Sequence, residues 1–310
     1  MSTTPAAPTA ANLRAIKARQ RRNNLFGWAF AAPFALFFAA TFVVPIIVSV
    51  YQSFFQTKVS GGGLYGGGET VTSFVGLDNF IAVVTNAAFW TGIGRVVVYA
   101  AFQIPVMIIS ALVLALLLDS YLVKRVTVLR LGYFLPYAIP GVVAAMVWLY
   151  LYSPQLSPLS DWLGVSFFSK NVILASMANM TTWTFTGYNM LVFLAALQAI
   201  PQELYEAARL DGASGLQIAT RIKIPMVSGA ALLTVLLSII GTIQLFNEPT
   251  VMSTGQSWMG DSYTPMMMAY NTMMVSPGDP HTASAISIVM ALIAGLLAAV
   301  YALVQRRLQK

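Results

Sequence analysis

Six stretches of this chain are apolar for long enough to cross a lipid bilayer, and that property removes most of the folds open to 310 residues. They run over about 25–51, 95–118, 131–152, 171–200, 226–248 and 283–304, each at or above the roughly 20 residues that a helix needs to span a hydrocarbon core. In lipid the backbone N–H and C=O groups must be satisfied within the segment, so such runs read as helices. The expected fold class is all-α: a polytopic membrane protein of six transmembrane helices. Charge agrees, since only 9% of residues are charged and mean hydropathy is +0.74, against about 25% charged in soluble domains.

Basic residues set the orientation. All of the 17 lysines and arginines except Lys58, Arg95 and Lys170 fall in four blocks: before span one, between spans two and three (Lys124, Arg125, Arg130), between four and five (Arg209, Arg221, Lys223) and at the C-terminus. Lys and Arg beside spans are retained in the cytoplasm, so both termini are expected there. Residues 1–24 are expected to form a basic cytoplasmic tail and 25–310 the transmembrane domain. The net charge of +7 therefore reports topology and membrane lipid, not nucleic acid. The apolar run after Arg22 is too long for a signal peptide and is read as a retained span. Without cysteine, and with His281 as the single histidine, no disulfide framework and no metal site is expected. No nucleophile and base converge, so catalytic residues are none.

The outer connections differ in kind. Glycine-rich sequence after span one gives slack, and an interfacial helix is expected from Asp78 through Trp90, with Arg95 snorkelling at the outer edge. The segment from Pro249 to Pro280 is rich in methionine, whose flexible thioether suits either gap filling, the favoured reading, or a partner-facing surface.

Between spans four and five lies a polar interval, 201–225. Pro201 suits a first helical turn, and Glu203 and Glu206 lie near the positive end of its dipole. Gly212 supplies a stop. Ser214 and Gln217 match a capping box, so a second short helix is expected to about Ile222 before Pro225 opens span five. Glu206 and Arg209 are spaced to pair on the helix surface.

Three words in this interval, Glu206-Ala207-Ala208, Asp211-Gly212-Ala213 and Ile222-Lys223-Ile224-Pro225, resemble the EAA motif of ABC importer permeases of the carbohydrate-uptake family, which includes maltose, trehalose and glycerol-3-phosphate permeases. Phe74 to Phe80 (FVGLDNF) and Pro140-Gly141-Val142-Val143 extend the resemblance. Ala219 and Ile224 depart from the commoner aromatic and leucine. The resemblance implies that the loop forms coupling helices seated on a separate ATPase subunit, with Glu206, Ala207, Ala208, Asp211 and Gly212 at the joint. It also implies a second homologous permease, an extracellular solute-binding protein and alternating access. The chain has no phosphate-cradling G-x-x-x-x-G-K-[ST], so ATP and Mg are expected on the partner ATPase and no cofactor in this chain.

Polar groups inside spans are costly and mark a substrate path where they cluster. Trp183, Tyr188, Asn189 and Gln244 combine a ring for a sugar's C–H face with amides for its hydroxyls. By resemblance to maltose permeases, Tyr188 and Ser238 stand at sugar-contacting positions; Thr242 replaces an asparagine, and Phe185 and Leu245 replace other polar ligands. Single threonines in such helices more often bond their own backbone. Glu248 and Asp119 read as solvated or cap-paired carboxylates. The solute is expected to be an oligosaccharide or a polyol phosphate such as glycerol-3-phosphate, and a passive channel or assembly scaffold is the alternative from another class.

Overall fold

The computed structural model describes residues 10–60, 69–120, 125–154, 156 and 158–308. The start of the basic tail, the glycine-rich residues 61–68, Lys124 and Lys310 lie outside the described residues. Among the described residues, four helices are long and apolar enough to cross a membrane, and two bent helix pairs bring the number to as many as six.

Span one is a helical rod from Ala10 to Gln52, interrupted by a π turn over Ala39–Val43. There Val44 N bonds Ala39 O, one residue further back than in an α-helix, immediately before Pro45. A proline ring lacks an N–H and crowds the carbonyl four residues back, and a widened turn moves that carbonyl aside. The same device recurs before Pro225, where Ile224 N bonds Ala219 O across the π turn Ala219–Lys223. No residue of span one from Arg19 to Gln52 is buried.

Span one leads into an antiparallel pair of strands, β1 (Phe55–Ser60) and β2 (Glu69–Phe74), in the register Phe55 to Phe74. This is a departure from an all-helical expectation. The β-branched residues Thr57, Val71 and Thr72 favour the pleat, and Thr57, opposite Thr72 in the register, pairs with it through their hydroxyls.

The interfacial helix covers only Asp78–Thr85, not the expected reach through Trp90, and span two begins at Ala87, not Arg95. Asn86 is the cause: its backbone is extended and its side chain accepts from Ala88 N at 2.8 Å, an N-cap that stops one helix and starts the next. Arg95 therefore lies inside the helix. Half-buried there, it donates to Tyr263 O at 3.0 Å, with its guanidinium 4.3 Å from the Tyr263 ring.

Span three starts earlier than expected, at Val126, and is broken: Val126–Ala138 and Gly141–Tyr152 meet at 98°. Ile139, held extended before Pro140, cannot continue the helix. Span four, Ile173–Gln198, bends by 71° into Gln202–Leu210. Span five runs over Ser228–Ile243, unwinds, and resumes as Asn247–Ser253. Span six is Pro280–Leu308.

Spans two and four approach closely because Ala111 and Ala115, both fully buried, face Met190, Phe193, Leu194 and Leu197; small residues let membrane helices pack backbone to backbone. Gly187 does the same against span three, where a Cβ would lie 1.8 Å from Tyr133 O. The methionines fill gaps: Met177, Met180, Met252, Met259 and Met267 are buried in the core cluster that includes Tyr99 and Tyr263, while Met273 and Met274 are exposed. His281 latches the last span to the first connection, its Nε2 at 2.9 Å from Thr57 Oγ1 and its Nδ1 at 3.0 Å from Gln52 O. The carbonyl requires the proton on Nδ1.

Candidate functional site

Spans four and five enclose a cavity of about 490 Å³, completed by Tyr99, Gln103 and Met107 of span two and by Tyr137 at the break in span three. Thr181, Phe185, Tyr188, Asn189 and Val192 line it because they recur at helical spacing on one face of span four. Span five contributes irregular backbone. Its helix ends at Ile243, and Gln244, Leu245 and Phe246, all lining the cavity, are unwound. Unwound backbone at membrane depth is tolerated where it faces a cavity or protein; here Thr264 Oγ1 donates to Leu245 O at 3.0 Å. Gly141 leaves room for the Asn247 amide, 2.7 Å from where a Cβ would stand, so the breaks of spans three and five meet.

Five of the six path candidates, Tyr188, Asn189, Ser238, Thr242 and Gln244, lie together on this cavity. Trp183 does not. Two residues from Thr181 on a helix of 3.6 per turn, it projects to the far side, meeting Trp148 edge-on at 5.8 Å and lining a separate groove of about 640 Å³ with Tyr133 and Asn179. The aromatic surface comes instead from Tyr188 and Tyr137, stacked at 4.8 Å and 22°, with Phe185 edge-on to Tyr137 at 5.7 Å.

Most hydroxyls are spent on their own helices: Thr184, Thr186, Thr234 and Ser238 each donate to the carbonyl four residues back. Ser238 keeps its lone pairs for the cavity. Thr181 is different, donating across to Glu248 Oε1 at 2.8 Å while accepting from Tyr99 Oη at 2.6 Å. Glu248 is thus more than a cap carboxylate: half-buried in the first turn of the helix that restarts at Asn247, it lines the cavity. Tyr99, Gln103 and Glu248 were missed as site residues. The available signal was Tyr99 and Gln103 at i and i+4, two polar groups on one face of an apolar span.

The loop between spans four and five is a pair of short helices. Gln202–Leu210 ends in a Schellman turn: Gly212 has φ +79°, its N–H bonds Arg209 O, and Ala213 N–H bonds Ala208 O. The left-handed position is what glycine supplies without strain. Ser214 then opens Gly215–Ile218 with a complete capping box to Gln217. The helical path does not stop at Ile222; it continues through the π turn to Met226, and span five starts after Val227. Glu206, Ala207, Asp211 and Gly212 are exposed and Ala208 half-buried. Leu210 and Leu216 flank the turn at 90% and 75% exposure, an apolar pair that the motif reading passed over.

Glu206 and Arg209 form no ion pair; among the described residues the pair is Lys223 with Asp119, at 2.5 Å and 15% and 16% side-chain exposure. Asp119 is the C-cap residue of span two, so this bond fastens span two to the loop. The Lys223 ammonium also lies 5.1 Å from the Tyr205 ring. Burial first, and the Asp119 carboxylate second, push the Tyr205 phenol up from its ordinary value, and its hydroxyl is buried without a hydrogen-bond partner.

Residues 111–310 match the model of a family described as the binding-protein-dependent transport system inner membrane component. The lactose transport system permease protein LacF of Rhizobium radiobacter is 28% identical over 291 residues, covering 89% of this chain and 93% of that protein. The trehalose/maltose transport system permease protein MalF of Thermococcus litoralis is 32% identical over 230 residues, 69% of this chain and 74% of that one. In fold, the chain is similar to a chain of a bacterial ABC transporter involved in the import of the acidic polysaccharide alginate, with a TM-score of 0.74 at 20% identity over 96% of this chain and 100% of that one.

Proposed function

The chain belongs to the family of binding-protein-dependent transport system inner membrane components, and from that premise we propose that it is one permease subunit of an ATP-driven carbohydrate importer working by alternating access. One observation carries the reading: the two helices that form most of the cavity wall are the two joined by the exposed, capped loop. Any displacement of that loop displaces the cavity walls.

In this reading ATP and Mg belong to separate ATPase subunits. Glu206, Ala207, Ala208, Asp211 and Gly212 form the seat for them, with Leu210 and Leu216 as its apolar contacts. The Schellman turn makes the seat rigid, so force is transmitted and not absorbed. Tyr188 and Tyr137 offer a stacking face, and Ser238, Thr242, Gln244 and Asn189 offer hydroxyl and amide partners to a sugar. The cavity opens on one side where Tyr188, Phe185 and Tyr137 are more than a third exposed, and a second homologous permease supplies the missing wall. A solute-binding protein delivers sugar to the outer segments, and the termini and loop face the cytoplasm. Relatives named for lactose and for trehalose and maltose transport support a saccharide as cargo.

The test is uptake of radiolabelled lactose, maltose and trehalose into proteoliposomes holding the complete transporter and its binding protein. ATP-dependent accumulation of a saccharide above the external concentration is expected. Equilibration that ignores ATP would instead establish a passive channel.

A further inference from the structure

The groove that Trp183 lines faces away from the wall a second permease completes. At 3.6 residues per turn, its span-four residues lie about 140° round the helix from those of the cavity. We propose that this groove, of about 640 Å³, holds one acyl chain of an anionic phospholipid of the cytoplasmic leaflet, with the lipid phosphate on Arg125. The inference rests on the permease reading for one thing, the assignment of this end of span three to the cytoplasm.

Shape and chemistry select a hydrocarbon chain. The walls are Leu114 of span two, Val128, Leu129, Tyr133 and Pro136 of span three, and Trp183 of span four. Gly132 deepens the groove, since nothing lies within 4 Å of where its Cβ would stand. Two polar residues along it turn their donors into the protein: Asn179 Nδ2 donates to Tyr152 Oη at 2.8 Å, and Thr186 Oγ1 to Thr182 O at 2.6 Å. A polyhydroxylated solute would be left short of partners there, whereas an acyl chain needs none. Length agrees. From Val128 to Pro136 the groove runs about 12 Å at 1.5 Å per residue, and one leaflet of a core roughly 30 Å thick is about 15 Å deep.

Charge selects the headgroup. Arg125 is exposed and is the N-cap of the helix that begins at Val126; its carbonyl accepts from Val128 N at 3.0 Å and Leu129 N at 3.3 Å. The guanidinium is therefore anchored one turn from the first two walls of the groove. Arg130, half-buried on the next turn, has its Nε buried without a hydrogen-bond partner. Neither arginine has an ion-pair partner among the described residues, where Asp119 is taken by Lys223. Two unneutralised guanidiniums at the inner end of an apolar groove complement a molecule that carries a negative phosphate on a hydrocarbon tail. A protein helix would fill the groove without meeting the charge.

The experiment uses the complete transporter in nanodiscs with two trace probes, phosphatidylglycerol and phosphatidylcholine bearing the same diazirine acyl chain. After irradiation, labelled residues are located by mass spectrometry. Tyr133 and Trp183 are expected to be labelled at least about fivefold more by the phosphatidylglycerol probe. Arg125→Asn suits the left-handed backbone that Arg125 adopts at φ +58°, and it should cut the preference by about fivefold, the contribution of one guanidinium near an anionic surface. Arg125→Lys should keep most of it, and Gly132→Leu should lower labelling by both probes. Equal labelling of wild type by the two probes, or a preference that Arg125→Asn does not move, means the groove is bathed in bulk lipid and overturns the assignment. Labelling of the groove by neither probe means that a protein segment covers it, and also overturns the assignment. Saccharide uptake is read separately in proteoliposomes: no ATP-dependent accumulation by wild type overturns the permease reading and leaves the labelling result standing.

Discussion

The Lys223–Asp119 bond gives the sharpest mechanical prediction. Replacing Lys223 with Met keeps the length of the side chain and removes the ammonium, leaving Asp119 facing a site only 16% exposed. An exposed pair contributes about 0.2–1 kcal/mol, whereas breaking a fully buried one costs about 3–5 kcal/mol because a charge is left unpaired. A pair at 15% and 16% exposure lies between, at about 2 kcal/mol, equivalent to roughly a thirtyfold shift in the equilibrium between fastened and released loop. Since the bond fastens the end of span two to the loop, the loss falls on transmission. The expected result is basal ATP hydrolysis within about twofold of wild type, with a several-fold rise in ATP consumed per sugar accumulated, read in proteoliposomes. Adding Asp119→Asn to Lys223→Met removes the orphaned charge and should recover most of the thermal stability of the purified transporter, but not the coupling ratio. If the single and double variants lose stability equally, or if sugar per ATP stays constant in both, the pair is only a surface contact and the reasoning fails.

Three further outcomes follow from the geometry. Gly187→Ala forces a Cβ to within 1.8 Å of Tyr133 O, so spans three and four must separate at a cost beyond about 3 kcal/mol, and the transporter should fail to survive detergent extraction on size exclusion. Tyr188→Ala should raise the half-saturating sugar concentration for uptake by about tenfold through loss of the stacking face, while Trp183→Ala, on the opposite face of the same helix, should leave it unchanged. Tyr205→Phe removes a buried hydroxyl that has no partner and should leave the melting temperature equal or higher, by up to about 1 kcal/mol of stability.

Much of this fold was legible in the chain, for reasons that are local. Apolar run length located the spans, and the Ser214–Gln217 capping box was readable because both partners lie within one turn. What escaped depended on contacts far apart in sequence. Trp183 and Tyr188 look equivalent in a list of polar and aromatic residues in span four, and only the helical phase relative to spans two and five separates them. Glu248 looked like a span-end carboxylate until the unwinding at Gln244–Phe246 returned it to the cavity. The break in span three was written in Pro136 and Pro140, but its angle of 98° was not, and the Asn247 amide beside Gly141 comes from a distant part of the chain. Asp119 found Lys223 across 104 residues, beyond the reach of any spacing rule.

The bare sides of span one bear on how the protein is made. A rod with no buried residue between Arg19 and Gln52 and no dependence on later spans for its backbone bonds can enter the bilayer alone as soon as it emerges during synthesis. One latch on its C-terminal end waits for the far end of the chain, because the imidazole that reaches Gln52 O and Thr57 belongs to His281. Asn79 donates to Ser53 O at 2.9 Å and to Phe55 O at 2.7 Å, so the same connection has an earlier fastening and the last helix adds a second one.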